Sequence, residues 1–178
     1  MSHNQVTQRI AGLFADACVE LFQSLNYDIN PIDETEFDVT DVPHGKIAAG
    51  CKDFAINIHL HLPFPALAMT YPVFSHILII DQAALEDWLC ELSNRLMGKL
   101  KRKLFACNAN IAIGLPSHSM GDADKYSTAA ADYVAFKYKI DQQVFICGIA
   151  IEVFHDPLLL TSQPMSDNGI PDGNIDLF

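Results

Sequence analysis

Positive charge is scarce in this chain. It contains 11 Lys and Arg residues against 22 Asp and Glu residues, so its formal net charge is −11. A protein with this excess of negative charge repels phosphate backbones and anionic lipid headgroups at long range. Nucleic acids and anionic membrane surfaces are therefore unfavourable partners.

Cysteine is also scarce, and its arrangement excludes two kinds of framework. The five cysteines are widely spaced and form no C-x-x-C pair; they are Cys18, Cys51, Cys90, Cys107 and Cys147. An odd number without close spacing fits neither a disulfide scaffold nor a cysteine-based zinc site. We expect free thiols in a reducing compartment, used as small core residues.

Long hydrophobic runs are absent as well. No stretch of the sequence approaches the roughly 18 uninterrupted apolar residues that a membrane-spanning helix requires. The first residues, MSHNQVTQRIAGLFADACVELF, include polar residues and Asp16 where a signal peptide needs an apolar run. We therefore predict a cytoplasmic protein. Its 178 residues, half of them hydrophobic, are enough for one domain with a substantial core.

Hydrophobic periodicity predicts two main helices. Apolar residues recur at helical spacing over about 6–25. A longer helix is predicted over about 82–104, with Asp81 as its N-cap. The segment between them is turn-rich up to Gly45, with an edge strand predicted at 36–40. The proline-interrupted segment 63–74 receives no assignment.

Strand patterns flank the longer helix. In FAINIHLHL, apolar residues alternate with Asn57, His59 and His61, which predicts a strand with one apolar face. A short buried strand is predicted in ANIAIG before a turn at Pro116, and two longer strands at about 130–139 and 144–154 are joined by a hairpin at IDQQ. These patterns predict an α+β fold in which two main helices pack on one face of an antiparallel sheet. The domain is expected to span 1–156, and the acidic tail 157–178 is expected to be disordered.

The longer helix has two opposite faces. At about 100° per residue, five leucines form a narrow stripe that must face the core: Leu85, Leu89, Leu92, Leu96 and Leu100. Glu91, Asn94, Gly98 and Lys101 lie roughly opposite, on the face predicted to be exposed. Glycine costs up to about 1 kcal/mol relative to alanine in a helix interior, and asparagine also has a low helix propensity. Such choices make sense if another molecule approaches this face closely. Alternatively, it is an ordinary solvated face on which Glu91 pairs with Arg95.

The pattern Glu91-Leu92-x-Asn94-x-x-x-Gly98-x-x-Lys101 resembles the signature helix of the CheX-like and CheC-like chemotaxis phosphatases, which are related to flagellar switch proteins of the FliY type. In that family the helix carries an E-x-x-N pair, a glycine and a basic residue at these spacings. It leads into a strand that ends in a proline-containing turn with a glycine shortly after, and IAIGLPSHSMG is similar to that element.

The resemblance covers roughly residues 5–156, with its specific part between Glu91 and Gly121. Many CheC-like members carry two E-x-x-N pairs. The first helix here has only Glu20 and Gln23 without a following glycine, so a single site of the CheX-like kind is expected.

This resemblance implies a function. It implies a phosphatase that accelerates hydrolysis of the aspartyl phosphate on a CheY-like response-regulator receiver domain, in chemotaxis or related two-component signalling. Asn94 would orient the attacking water, and Glu91 would pair with the receiver's active-site lysine. The residues implied to contact the partner are Gly98, Arg95, Lys101 and Arg102. The receiver would supply Mg²⁺, and no metal or cofactor of the chain's own is implied. Homodimerisation is left open.

Three alternatives remain. One is a non-enzymatic module of the same fold that binds a receiver or a flagellar switch protein. Another is a metal- or ligand-binding sensor around His59 and His61, although structural or catalytic zinc needs three or four ligands. Ser117-His118-Ser119 suggests a hydrolase, but the chain has no G-x-S-x-G elbow. The cations of the long helix could aid encounter with an acidic partner or simply complement the helix dipole.

Overall fold

The computed structural model describes residues 3–33, 41–72, 80–121 and 131–155. The edge strand predicted at 36–40 and the tail at 157–178 lie outside these residues. The described residues form three helices and seven strands. In chain order they are α1 (His3–Gln23), β1 (Asn30–Pro31), β2 (Pro43–Gly50), β3 (Phe54–His61), α2 (Phe64–Thr70), α3 (Gln82–Ala106), β4 (Ala112–Ile113), β5 (Ser117–Met120), β6 (Asp132–Ile140) and β7 (Gln143–Val153).

The seven strands form one antiparallel sheet, as predicted. Their order is β1-β6-β7-β3-β2-β4, and β5 pairs with β2 as well. Two long hairpins lie side by side, because β3 pairs with β7 from Phe54 opposite Val153 to His61 opposite Ile146. The hairpin predicted at IDQQ joins β6 to β7 and turns at Asp141, whose φ is 52°.

The core lies between one face of the sheet and the helices. The β3 residues on this face are at most 1% exposed; they are Phe54, Ile56, Ile58 and Leu60. Opposite them, α1 buries Ile10, Phe14, Cys18, Leu21 and Phe22. The apolar stripes predicted for β3 and α1 are thus confirmed. None of the helices in the described part of the chain is long and apolar enough to cross a membrane.

A third helix, α2, occupies part of the segment that the sequence left unassigned. Its prolines do not interrupt it, because Pro63 is the extended N-cap residue and Pro65 lies in the first turn, where a missing N–H costs nothing. The helix packs against α3, where Trp88 Nε1 donates to Thr70 Oγ1 at 3.1 Å. The helical layer therefore has three members where two main helices were predicted.

Two strand predictions need correction. The chain was predicted to be turn-rich up to Gly45 and received no assignment from there to Gly50, but Pro43–Gly50 is an eight-residue strand that pairs with β3. The strand predicted to be buried before Pro116 is instead a two-residue edge strand, β4, whose Ala112 is exposed. The chain then returns to β2 as β5 after the proline, which the sequence did not predict.

Candidate functional site

The long helix α3 carries the candidate site, and its ends and inner face are fixed. Asp81 is the N-cap, with its Oδ1 accepting from the Ala84 N–H at 2.8 Å, and the N–H of Cys107 closes the last turn on the carbonyl of Leu104. The five leucines of the predicted stripe are all buried. The predicted N-cap and inner face are therefore confirmed, and the helix extends two residues beyond the predicted end.

Helix α3 packs closely on β2. A Cβ added at Gly45 would collide with Ser93 Oγ and the Leu89 side chain. Ser93 is buried and satisfies its hydroxyl within the helix by donating to the Leu89 carbonyl at 2.8 Å. This close packing fixes the rotation of α3 about its axis, and hence which residues face solvent.

The outer face of α3 is as predicted. Asn94 is exposed and the Glu91 side chain is 44% exposed, with the leucine stripe buried beneath them. A Cβ added at Gly98 would meet no atom of the described residues within 4 Å, the neighbouring helix backbone aside. Packing within the described chain therefore gives no reason for glycine at this position. The fold brings Glu91, Asn94 and Gly98 together on one open surface.

Glu91 already has an ion-pair partner. Its Oε1 lies 2.6 Å from Arg95 Nε, and the two side chains are 44% and 46% exposed. Arg95 also places its guanidinium carbon 5.0 Å from the centre of the Trp88 ring, a cation–π contact. The Glu91–Arg95 ion pair, which the sequence suggested for an ordinary solvated face, thus forms. An exposed i,i+4 pair contributes only about 0.3–0.5 kcal/mol, so a partner's cation can compete for Glu91.

A shallow groove runs beside Glu91. It encloses about 270 Å³ and is lined by Tyr71, Pro72, Ala84, Asp87, Trp88 and Glu91. Apolar walls next to two carboxylates suit the aliphatic stem and charged end of a lysine or arginine side chain. The groove therefore favours a basic side chain from a partner at Glu91.

The predicted cations of α3 are not equivalent. Lys103 Nζ lies 2.5 Å from Glu20 Oε1, so this lysine links α3 to α1. Arg102 is exposed and Lys101 is partly buried. Burial and then the neighbouring Arg102 charge lower the pKa of Lys99. Arg102 and Lys101 are thus more accessible to a partner than Lys103, which is paired with Glu20.

The opposite face of the sheet holds a histidine stack that the sequence did not predict. His44, His59 and His61 are each at most 1% exposed. His44 Nε2 lies 3.0 Å from His59 Nδ1, and the His44 ring stacks on that of His61 with centroids 4.3 Å apart. In the described part of the chain, no group of three or more His, Cys, Asp or Glu residues is arranged to hold a metal ion.

These imidazoles favour the neutral form. Burial, with His61, His59 and Lys46 as further causes, lowers the pKa of His44 from 6.5 to about 3. Burial likewise lowers the pKa of His59 and of His61 to about 4. The stack therefore carries no charge at neutral pH.

The Ser117-His118-Ser119 sequence does not form a hydrolase site. Successive residues of β5 face opposite sides of the sheet. His118 points towards α3, with its Nδ1 4.0 Å from Glu86 Oε2, whereas Ser119 Oγ lies 3.4 Å from His44 Nδ1. The serine and the histidine beside it therefore cannot act on one substrate atom.

No protein-family model and no curated protein sequence matches the chain. Solved structures do match. The chemotaxis protein CheX from Vibrio vulnificus has a TM-score of 0.66 at 12% identity, with 80% of this chain and 99% of that chain covered. A CheC-like superfamily protein from Shewanella sp. PV-4 has a TM-score of 0.66 at 14% identity, with 81% and 97% covered. The chain has the CheX/CheC-like fold.

One further neighbour was solved with a partner. It is a chain of a CheX–CheY–BeF₃–Mg²⁺ complex from Borrelia burgdorferi, with a TM-score of 0.55 at 12% identity, and 82% of this chain and 97% of that chain are covered. The resemblance seen in the signature helix and the α+β architecture are confirmed at the level of the CheX/CheC-like fold.

Proposed function

We propose that this chain is a phosphatase that accelerates hydrolysis of the aspartyl phosphate on a CheY-like receiver domain. The observation that carries the proposal is the exposed pair of Glu91 and Asn94 on α3 of a CheX/CheC-like fold, beside Gly98, whose lack of a side chain leaves open space. A CheX of this fold was solved in a complex with CheY, which supports a receiver as the partner. The proposal places the protein in the cytoplasm, in keeping with five free cysteines.

Asn94 suits the chemistry that the receiver lacks. A receiver carries its own Mg²⁺ and lysine, which neutralise charge on the phosphoryl group, so the missing element is a water held in line with the phosphorus. The Asn94 carboxamide has an oxygen that accepts a water proton and an NH₂ that donates to water or a phosphoryl oxygen. Because the carboxamide is neutral, it approaches the phosphoryl group without repulsion. The chain needs no metal of its own for this step.

Glu91 and its surroundings supply the docking contact. Glu91 can exchange its exposed ion pair with Arg95 for one with the receiver's lysine at a small cost in free energy. The adjacent groove accommodates the aliphatic stem of that lysine. Arg95 can then keep its contact with Trp88 and remain on this face as a cation. Gly98 lets the partner's backbone approach α3, and Lys101 and Arg102 offset repulsion between this acidic chain and the receiver.

The proposal is tested by the lifetime of the receiver phosphate. Each receiver of the source organism is phosphorylated with a small phosphodonor, and loss of phosphate is followed over time at increasing concentrations of this chain. We expect a saturable acceleration of about 10²-fold or more with one receiver, since a positioned nucleophile supplies effects of at least that size. A receiver that binds with its phosphate lifetime unchanged would show instead a binding module of the same fold.

Gly98→Ala is expected to stabilise the protein and weaken receiver binding. Alanine is favoured over glycine in a helix by about 0.5–1 kcal/mol, and the added methyl enters open space in the free protein. In the complex the same methyl would occupy the space that the partner needs. Chemical denaturation measures the first effect, and titration with a beryllofluoride-activated receiver measures the second.

Gly12→Ala is the matched control for Gly98→Ala. Gly12 is exposed on α1, and a Cβ there would also meet no described atom within 4 Å. It should give the same gain in unfolding free energy with unchanged receiver affinity. If Gly98→Ala binds the receiver as tightly as the wild type does, close approach at Gly98 is wrong.

A further inference from the structure

Four large hydrophobic side chains stand exposed among the described residues. Phe105, Met120 and Phe154 are 55%, 49% and 47% exposed, and Leu115 is 92% exposed. A leucine that makes almost no contact with its own protein contributes nothing to the core. Exposed apolar residues at one place on a monomer commonly mark a surface that a partner covers.

The backbone holds Leu115 out of the sheet. On one side Gly114 N–H donates to the Ala48 carbonyl at 2.8 Å, and on the other Ser117 pairs with Lys46. Two residues between these points bulge from the edge of β2. The second is Pro116, which lacks an N–H and restricts the preceding residue to extended conformations. Leu115 is therefore presented to solvent by a constrained segment.

Leu115 lies beside the middle of α3. His118, three residues later, faces Glu86 and is paired with Gly45, over which Leu89 and Ser93 lie. The end of α3 connects over a short loop to Ala112, which pairs with Gly50, so α3 and β2 run in the same direction.

The position of Leu115 along the axis of α3 follows from the rise per residue of strand and helix. The bulge is opposite Ile47, two strand residues beyond Gly45, which is an advance of about 6.6 Å, or about four residues of helix. That advance places Leu115 level with Asn94 and Gly98 along the helix axis.

Two of the other exposed side chains lie on α3 or on the strand next to it. Met120 pairs with Pro43, on the side of His118 that is nearer the start of α3, and Phe105 lies in its last turn. Phe154 lies elsewhere, after the end of β7, where its N–H donates to the Asp53 carbonyl. Leu115 is thus level with Asn94 along the helix axis, with Met120 towards the start of α3 and Phe105 in its last turn.

Resting on the proposed function, we propose that Leu115 is the apolar anchor for the receiver. Asn94 fixes the phosphoryl group against the middle of α3, so the receiver surface flanking its phosphorylated aspartate must extend over the adjacent β4–β5 edge. Leu115 then packs into an apolar depression there, with Met120 and Phe105 as weaker contacts at either end. A central, fully desolvated side chain is where binding energy concentrates in an interface.

The test compares Leu115→Ser with Phe154→Ser. Both replace an exposed hydrophobic side chain, so neither should change thermal unfolding, but Leu115 is level with the middle of α3, whereas Phe154 follows the end of β7. With a beryllofluoride-activated receiver, we expect Leu115→Ser to raise Kd by roughly ten- to a hundredfold and Phe154→Ser to leave it unchanged. Leu115→Met should keep the wild-type Kd. At saturating protein, the rate of receiver phosphate loss should be that of the wild type in all three.

The outcomes separate this inference from the proposed function. If Leu115→Ser binds as the wild type does while Asn94→Ala loses the accelerated hydrolysis, the anchor is wrong and the phosphatase stands. If Leu115→Ser binds weakly and the wild type never accelerates hydrolysis, the anchor stands and the phosphatase is wrong. Equal weakening by Leu115→Ser and Phe154→Ser, or a wild type that binds no receiver, overturns the anchor.

Discussion

Asn94→Ala is expected to lower the saturated rate of receiver dephosphorylation by about 10²-fold or more, while Kd for the beryllofluoride-activated receiver changes less than about twofold. The carboxamide acts on a water whose position matters chiefly in the transition state, so its loss reduces the rate of the chemical step. Asn94 is exposed and alanine favours helix, so the variant should be at least as stable as the wild type. Single-turnover phosphate loss at saturating protein measures the rate.

Glu91→Ala is the comparison for Asn94→Ala. Glu91 makes a ground-state contact with the receiver's lysine, so its loss should raise Kd as well as lower the rate at subsaturating concentrations. Removal of its exposed pair with Arg95 costs the free protein only about 0.5 kcal/mol or less. An Asn94→Ala variant with wild-type activity would show that the signature is misleading about mechanism.

The histidine stack should make the protein strongly sensitive to acid. The pKa values of His44, His59 and His61 in the folded protein are about 3, 4 and 4, below the ordinary 6.5. Between these limits the unfolded chain binds protons that the folded chain does not. The contribution of the three neutral histidines to the free energy of unfolding is therefore fully present above about pH 6.5. It is lost as the pH falls towards 4, by up to about 4 kcal/mol per pH unit for the three groups together.

Urea denaturation at pH 7, 6 and 5 measures this loss. By pH 5 the loss from the three histidines sums to about 6 kcal/mol, which is comparable to the lower end of the 5–15 kcal/mol that small domains have, so we expect a large fall in the free energy of unfolding between pH 7 and pH 5. His61→Leu should reduce the slope by about a third, because one of three titrating groups is removed. His118→Ala is the control, since His118 is exposed on β5 and outside the stack. A free energy of unfolding that is unchanged between pH 7 and pH 5 would contradict the account.

The face of α3 could be predicted from the sequence because it depends on local geometry. The leucine period sets the buried stripe, Asp81 sets the start, and Glu91, Asn94 and Gly98 follow on the opposite side from the helical repeat alone. Their exposure in the structure requires only that α3 packs with its leucines inward.

Strand β2 could not be predicted in this way. Its sequence PHGKIAAG contains Pro43 and two glycines, which are typical of turns. Its pairing with β3 on one side and β4 and β5 on the other makes it a strand, and Gly45 is there because α3 crosses it closely. The β2–β3 register brings His44 against His59, so the histidine stack could not be predicted from a sequence in which β2 was not recognised.

The surroundings of the site depend on tertiary contacts for the same reason. The pattern IAIGLPSHSMG predicted a turn at Pro116 but not that the chain rejoins β2 afterwards. That return places Leu115 beside α3. Nor was any role predicted from the sequence for Trp88, whose ring contacts Arg95 two turns later on the same helix.

The central claim is that the outer face of α3 meets the receiver's phosphorylated aspartate, with Asn94 at the attacking water. A crystal structure of this chain with its receiver, Mg²⁺ and beryllofluoride tests it most directly. The account predicts an Asn94 side-chain atom about 3 Å from a water in line with the beryllium, and Glu91 about 3 Å from the receiver's lysine. A complex in which the receiver docks elsewhere, with α3 facing solvent, would contradict it.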